Sequence, residues 1–452
     1  MKRLFLLSLL LFCLCFINCS KSITINQRFT INQKVNSNNS SDKPNDDYYK
    51  KNHIESDEFN VDEKIKTIII KKNGTAFSDP FIDLSSNDKI NLQFDDLSDE
   101  KRSFYYTINL CNYDWSESEL SQNEYLEGFY DNQIVNYQLS FNTIQNYKHY
   151  DLVFPNDNIK IIKSGNYVIK VYSDFDKSKI IFTRRFIVYE NLLNIEGRVI
   201  RSTNIDEKNT KHELEFQIKT SENIINNPYQ NLKINARQNR RWDNEIKNIK
   251  PKFINGNEFI YKMQDIIFDA GNEFRYFDIR NIRMLSERVN YKEYDENNKL
   301  NFYLKEDEKR NFKVYFEYSD INGKMLVTNE YNSNNETESD YIWVYFSLKY
   351  PHPIADGSIY ILGDLTNWQY DQNSRMDYNF NKNIYEKKMY LKQGYYNYEY
   401  IFLSNGSKIG DVSYNEGNHY ETENDYYIFA YYYDVNKMYD RIVGLKILNS
   451  RR

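Results

Sequence analysis

From about residue 64 to its C-terminus, the chain repeats short stretches in which apolar and polar residues alternate. Residues 90–94 (INLQF) alternate without a break, while residues 104–110 (FYYTINL) and 167–172 (YVIKVY) are rich in aromatic and β-branched residues. Such stretches are typical of half-buried strands. Pairs such as Asn255-Gly256 separate them as turns. The pattern therefore predicts an all-β protein.

The clearest pair of predicted strands lies in the C-terminal third of the chain. Apolar residues 359–362 run into a turn that carries Trp368. Two aromatic stretches then follow at 385–391 and 395–402, joined by a Lys-Gln-Gly turn. We interpret this segment as part of a β-sandwich, because strand, tight turn and strand form a hairpin.

The spacing of the strands predicts three tandem immunoglobulin-like or early-set β-sandwich domains. Seven or so short strands in residues 61–190 fit one immunoglobulin-like sandwich. A second set of strands follows in 191–310, including residues 274–279. The third predicted domain, 311–452, contains the hairpin described above and candidate strands at 313–318, 341–348 and 426–433.

The N-terminus has the features of an export signal followed by a tether. A positive start is followed by an apolar run over residues 4–17, and Asn18 separates this run from Cys19. This end resembles a bacterial lipobox, so 1–19 is interpreted as a leader and Cys19 as a candidate lipidation site. An ordinary secretion signal that is cut nearby is the alternative. Residues 20–60 are rich in Asn, Ser, Lys and Asp and predict a disordered tether.

Composition narrows the possible functions. The 42 Tyr and 28 Phe suit pleated, half-buried surfaces, although an A/T-rich genome also raises the Tyr content. The net charge of −6, with both signs interspersed, argues against nucleic acid as a partner, because phosphate binding needs a basic face. Outside the leader region the chain has only Cys111, which excludes an intrachain disulfide framework or a thiolate zinc site.

Several segments, in the same order along the chain, resemble the type IX secretion system plug protein family of Bacteroidota. They are spread through the body of the chain, and the leader and the tether lie outside the resemblance. The segments are 111–115 (CNYDW), 140–143 (SFNT), 163–167 (KSGNY), 183–186 (TRRF), 274–280 (FRYFDIR), 391–398 (LKQGYYNY) and 421–426 (ETENDY).

The resemblance implies a non-enzymatic plug that binds the periplasmic opening of a giant outer-membrane β-barrel translocon and seals its pore. It implies a location at the periplasmic face of the outer membrane, where lipidation of Cys19 would add an anchor. The family brings no catalytic or cofactor-binding residues to this sequence. A Tyr-rich surface would suit such a contact, because Tyr offers a large, rigid area with a polar tip.

The C-terminal part also resembles glycogen-binding early-set sandwiches. Residues 363–368 (GDLTNW) keep that family's Gly-x-Phe-x-x-Trp element in part, which makes Trp368 a candidate glycan contact. Glu399 replaces the family's Lys, and the second Trp is missing from 403–408. Glycan binding by an envelope lipoprotein is therefore the alternative function, and Trp368 is otherwise interpreted as a packing residue.

No catalytic or metal-binding motif stands out in the sequence. The five histidines are isolated from one another, and no nucleophile elbow, phosphate loop or calcium loop occurs. We therefore expect no enzymatic activity, no cofactor and no metal site.

Overall fold

The protein is described from a computed structural model, which covers residues 58–221, 225–262, 266–331 and 334–451. Strands account for 48% of the structure and helices for 4%, so the predicted all-β fold class is confirmed. The strands form several sheets that pack face to face around three large hydrophobic cores. The predicted leader and tether fall outside the described residues, except for the last few positions of the tether.

The first core lies between two sheets built from the N-terminal part of the described chain. One sheet has the order β1-β12-β11-β5-β7, with β3 also pairing with β12, and the other has the order β2-β4-β9-β8. A short β6–β10 pair and helix α1 complete this part. The elements are β1 (Phe59–Asn60), β2 (Ile65–Lys72), β3 (Phe81–Asp83), β4 (Ile90–Asp96), β5 (Phe104–Cys111), α1 (Gln122–Tyr125), β6 (Leu126–Gly128), β7 (Asn132–Ile134), β8 (Tyr137–Leu139), β9 (Lys148–Phe154), β10 (Ile159–Ile161), β11 (Gly165–Ser173) and β12 (Ile180–Tyr189).

The second core combines the middle of the chain with its C-terminal end. One sheet has the order β13-β14-β18-β17, with β19 also pairing with β14. The middle of the chain supplies β13 (Asn194–Arg201), β14 (Lys211–Lys219), α2 (Pro228–Asn231), β15 (Leu232–Gln238), β16 (Ile246–Ile249), β17 (Phe253–Asn255), β18 (Glu258–Tyr261) and β19 (Ile267–Asp269).

The third core is built from the strands between these two segments. One sheet has the order β20-β28-β23, with β25 also on β28, and the other has the order β21-β22-β24-β27-β26. The elements are β20 (Arg275–Asp278), β21 (Val289–Tyr294), β22 (Leu300–Leu304), β23 (Met325–Val327), β24 (Tyr341–Lys349), β25 (Gly357–Leu362), a 3₁₀ turn (Asp364–Thr366), β26 (Asp377–Asn379), β27 (Ile384–Lys392), β28 (Gly394–Ser404) and α3 (Ser413–Glu416).

The C-terminal hairpin, β29 (Asp425–Asp434) and β30 (Tyr439–Asn449), pairs away from its neighbours in sequence. It extends the second core's other sheet, in the order β16-β15-β29-β30. The predicted domain boundaries place 426–433 in 311–452 and 274–279 in 191–310. In the structure β29 pairs with β15, and β20 pairs with β28. Alternation predicts a strand and its faces, but it does not identify the partner strand. The division into three domains stays a prediction.

The sheet that contains β29 is buried on both faces. Tyr426, Ile428 and Ala430 face the second core, whereas Tyr427 and Phe429 pack against Phe81 and Ile187 from the first part of the chain. A strand between two packed layers has no polar face, which explains the unbroken apolar run YYIFAYYY. The buried Cys111 lies in the same layer, where burial raises the pKa of its thiol to about 12.

The predicted strand at 313–318 does not form, and residues 314–320 have no regular secondary structure. The hydroxyl of Tyr315 donates to Glu273, and that of Tyr318 donates to the carbonyl of Phe274, 3.0 Å away. These side chains anchor the segment without a backbone ladder. Phe312, Val314 and Phe316 are left 76%, 93% and 75% exposed.

Candidate functional site

The structure describes one of the two site residues named from sequence. Cys19, the candidate lipidation site, lies outside the described residues. Trp368 follows the 3₁₀ turn and is only 7% exposed. Its indole Nε1 donates to Asp364 Oδ1 at 2.7 Å, and its ring packs edge-on against Phe274. A sugar stacks on an open ring face, so this environment is that of a packing residue.

The turn that carries Trp368 is held tightly. Gly323 has a φ of +75°, and a Cβ there would lie 2.4 Å from the Trp368 ring. Trp368 itself has a φ of 56°, a left-handed conformation that is costly for a bulky residue. The surrounding contacts therefore hold Trp368 in a fixed position.

We expect Trp368→Phe to lower the free energy of unfolding by about 2 kcal/mol, because Asp364 loses a charge-assisted hydrogen bond in a buried site. Urea denaturation checks this value. Trp343→Phe is the matched control, since Trp343 is half-buried on β24 and should give a smaller loss. An equal loss in both variants would contradict the packing role of Trp368.

Trp368 lies on the wall of a pocket, here called the central pocket, where all three parts of the fold meet. The pocket has about 800 Å³ of free space, including its opening to solvent. Its charged and indole side chains come from distant parts of the sequence. They are Glu58, Lys71, Asp79, Trp115, Arg184, Arg185, Arg237, Arg240, Trp242, Lys324, Asp364 and Trp368.

Arg240 connects the three parts of the fold at this pocket. Its Nε donates to Asp79 Oδ1 at 2.8 Å, and its Nη1 donates to Asp364 Oδ2 at 2.6 Å. Burial alone would lower the pKa of Arg240, but the charges of Asp364 and Asp79 outweigh that effect and raise it. Arg240 is therefore a permanently charged, fully paired bridge.

A second polar junction joins the first and third cores away from the central pocket. Asp95 on β4 accepts hydrogen bonds from Lys392 Nζ at 2.7 Å and from the Tyr341 hydroxyl at 2.6 Å. His149 Nδ1 lies 2.7 Å from the other carboxylate oxygen. Asp95 and Lys392 are each 1% exposed, so this ion pair is fully buried.

Four exposed apolar side chains, here called the edge strip, form a row along β8 and the residues on either side of it. β8 is the terminal strand of the sheet β2-β4-β9-β8. Val135, Tyr137, Leu139 and Phe141 are 71%, 52%, 66% and 70% exposed. Among the described residues β8 pairs only with β9, so its other side is a sheet edge. Soluble proteins normally protect such edges with charge or Pro, and exposed apolar rows mark interaction surfaces.

Neither a metal-binding cluster nor a membrane-spanning helix occurs among the described residues. They contain no group of three or more His, Cys, Asp or Glu side chains placed to hold a metal ion. Among the same residues, no helix combines the length and apolar character needed to cross a membrane.

Sequence reasoning named one residue of the central pocket, Trp368, but did not predict the pocket. Trp115, Arg184 and Arg185 lie in two of the segments that carry the family resemblance, and Trp368 was named directly. The residues from 237 to 242 were missed. The available signal was three arginines and a Trp within six residues (RQNRRW), which is unusual in a chain of net negative charge.

A family model matches the first part of the chain, and a solved structure is similar to most of its length. Residues 65–190 match the family model described as type 9 secretion system plug protein 1st domain. A solved structure of a hypothetical protein from Parabacteroides merdae is 34% identical, with a TM-score of 0.84. That alignment covers 87% of this chain and 98% of the other. The search of curated proteins found no match.

Proposed function

Because this chain belongs to the type IX secretion system plug protein family, we propose that it is a non-enzymatic plug subunit that seals the translocon. In this proposal it binds the periplasmic opening of the giant outer-membrane β-barrel. The family membership itself associates the chain with type IX secretion. The fold supports a binding role, since its sheets are held together by buried packing and leave a defined apolar surface open.

The proposed contact surface rests on one observation, the edge strip. It lies within residues 65–190, the part that matches the plug family model. Its side chains present large apolar groups in a row, and the adjoining sheet edge offers backbone groups for a further strand. Strand addition to an exposed sheet edge is a common way to bind an extended segment. We place the contact with the barrel here.

The location follows from the same proposal. The body lies at the periplasmic face of the outer membrane, and lipidation of Cys19 would hold it there. The tether then lets the plug reach the opening of the barrel.

We expect the tagged chain, purified from native membranes in mild detergent, to bring down a giant barrel protein that mass spectrometry identifies. The triple variant Val135→Ser, Leu139→Ser and Phe141→Ser should reduce this recovery about tenfold, because central apolar contacts dominate interface energy. Exposed side chains are changed, so folding should be unaffected.

The matched control is the triple variant Phe312→Ser, Val314→Ser and Phe316→Ser, which removes an equally exposed apolar row elsewhere. It should leave recovery unchanged. If the control variant failed to recover the barrel while the edge-strip variant still recovered it, the placement of the contact would be contradicted. Absence of any barrel with the unmodified chain would contradict the plug function itself.

A further inference from the structure

The central pocket contains a buried cation with unpaired hydrogen-bond donors. Arg237 on β15 is 2% exposed, and within the described chain its Nε and Nη1 have no hydrogen-bond partner. Arg184 Nε and Trp115 Nε1, which line the same pocket, also lack one. Buried polar groups are normally satisfied, because leaving one unpaired is costly. Four unused donors in one pocket point to a ligand that accepts hydrogen bonds.

Aromatic rings hold the guanidinium of Arg237 in place. Its Cζ lies 3.8 Å from the centroid of the Trp242 ring. Arg185 packs over both Trp242 and Trp115, and these two rings meet edge to face at 5.0 Å. The alternation of guanidinium and indole groups fixes the cation without neutralising it. A rigid donor set of this kind loses little freedom when a ligand binds.

The charge balance of the pocket favours an anion. Six cationic side chains line it, against three carboxylates, in a chain whose net charge is −6. Arg240 occupies both Asp79 and Asp364. Glu58 accepts hydrogen bonds from Trp242 Nε1 and from the backbone N–H of Arg185.

The carboxylates whose charges affect the pKa of Arg237 do not pair with its unused donors. Glu245 and Asp79 are the charges that oppose the effect of burial on its pKa. Neither accepts a hydrogen bond from Nε or Nη1 of Arg237. The positive charge of Arg237 is therefore balanced only at a distance.

We infer that the central pocket binds a small organic anion. A carboxylate or phosphate group of this ligand accepts hydrogen bonds from Arg237, and its apolar body lies against apolar side chains of the pocket wall, such as Ile69 and Phe77. Guanidinium groups match both kinds of oxyanion in geometry. This site is separate from the edge strip and does not depend on the translocon contact.

The test measures the binding of three small probes to the full chain. N-acetyl-phenylalanine carries a carboxylate, phenyl phosphate carries a phosphate, and N-acetyl-phenylalanine amide is the neutral control. Three of the four tryptophans line the pocket, so indole fluorescence should report binding, with calorimetry as a second readout. At least one anionic probe should bind about tenfold more tightly than the amide. The tighter of the two anions identifies the oxyanion.

Variants connect the binding to Arg237. Arg237→Met should abolish the difference between anion and amide, whereas Arg237→Lys should keep part of it. Arg198→Met, a control at a 72% exposed side chain, should change nothing. Equal binding of anion and amide by the unmodified chain, or no binding of any probe, would overturn the inference even if Arg237→Met fails to fold. Unchanged anion preference in a folded Arg237→Met would also overturn it.

Discussion

Replacing Glu416 with glutamine should lower the free energy of unfolding by about 3 to 5 kcal/mol at pH 7. Glu416 is fully buried on α3 and accepts hydrogen bonds from Arg275 and Arg310. It also accepts the backbone N–H of Tyr400 at 2.8 Å. The amide would leave two buried guanidinium groups with too little negative charge, and breaking a buried pair costs more than the pair contributes.

The remaining carboxylate cannot compensate for this loss. Asp307 accepts from Arg275 Nη1 at 2.7 Å, but it is also paired with Arg288. The hydroxyls of Tyr398 and Tyr400 donate to its other oxygen at 2.6 Å and 3.0 Å. Every acceptor position of Asp307 is therefore in use before Glu416 is changed.

The pH dependence gives the loss a specific signature. Burial alone would raise the pKa of Glu416, but the charges of Arg275 and Arg310 outweigh it and lower the pKa to about 2 from 4.5. A depressed pKa stabilises the fold above the unfolded value, and that stability is lost as the pH falls towards the folded value. The difference between the two proteins should therefore be largest above pH 4.5 and shrink below it.

Urea denaturation at a series of pH values measures this difference. Glu196→Gln is the control, because Glu196 forms an exposed pair with Lys219 and its loss should leave stability within measurement error. A Glu416→Gln loss as small as that of the control would contradict the role of the buried network. A loss that stays constant as the pH falls below 4.5 would contradict the assigned charge state.

Replacing Asp95 with alanine should also cost about 3 to 5 kcal/mol. The change leaves the Lys392 ammonium buried without its counter-ion, between the Tyr147 ring at 4.2 Å and the Glu336 carbonyl at 2.6 Å. It also removes the acceptor for the Tyr341 hydroxyl. Burial lowers the pKa of Lys392, and the charge of Asp95 opposes that fall. Without Asp95 the charged form of Lys392 becomes unfavourable.

A double-mutant cycle with Lys392→Met separates the pair from the rest of the junction. Each single variant removes one member of the buried ion pair and leaves the other without it, whereas the double variant removes both. The double variant should therefore lose less stability than the sum of the two single variants, by about 1 to 3 kcal/mol. Additive losses would show that Asp95 and Lys392 do not act as a pair across the junction between the first and third cores.

The local pattern of the sequence predicted much of the fold, because strand formation depends on neighbouring residues. Alternation in 90–94 and 104–110 corresponds to β4 and β5, and the aromatic stretches at 385–391 and 395–402 correspond to β27 and β28. The family resemblance rested on short segments and is confirmed by the family match. These signals need no knowledge of distant contacts.

The partner of each strand was decided only by tertiary structure. The run at 426–433 is apolar on both faces whichever sheet it joins, and the structure places it beside β15, almost two hundred residues earlier. The segment 313–318 has a strand-like pattern, but its tyrosines are used as hydrogen-bonding anchors. Pairing depends on which surfaces remain open after neighbouring sheets have packed.

The charged residues show most clearly that local sequence does not reveal tertiary contacts. In the sequence, Asp95, Lys392, Glu416 and Arg237 are indistinguishable from surface charges, because a charge carries no periodic signal of its burial. Trp368 could be singled out from its turn, but Arg237 and its unused donors could not. The sequence determined most of the strands, the family and the mixed charge of the chain. Tertiary structure decided which charges are buried, because burial and pairing depend on side chains that lie far apart in the sequence.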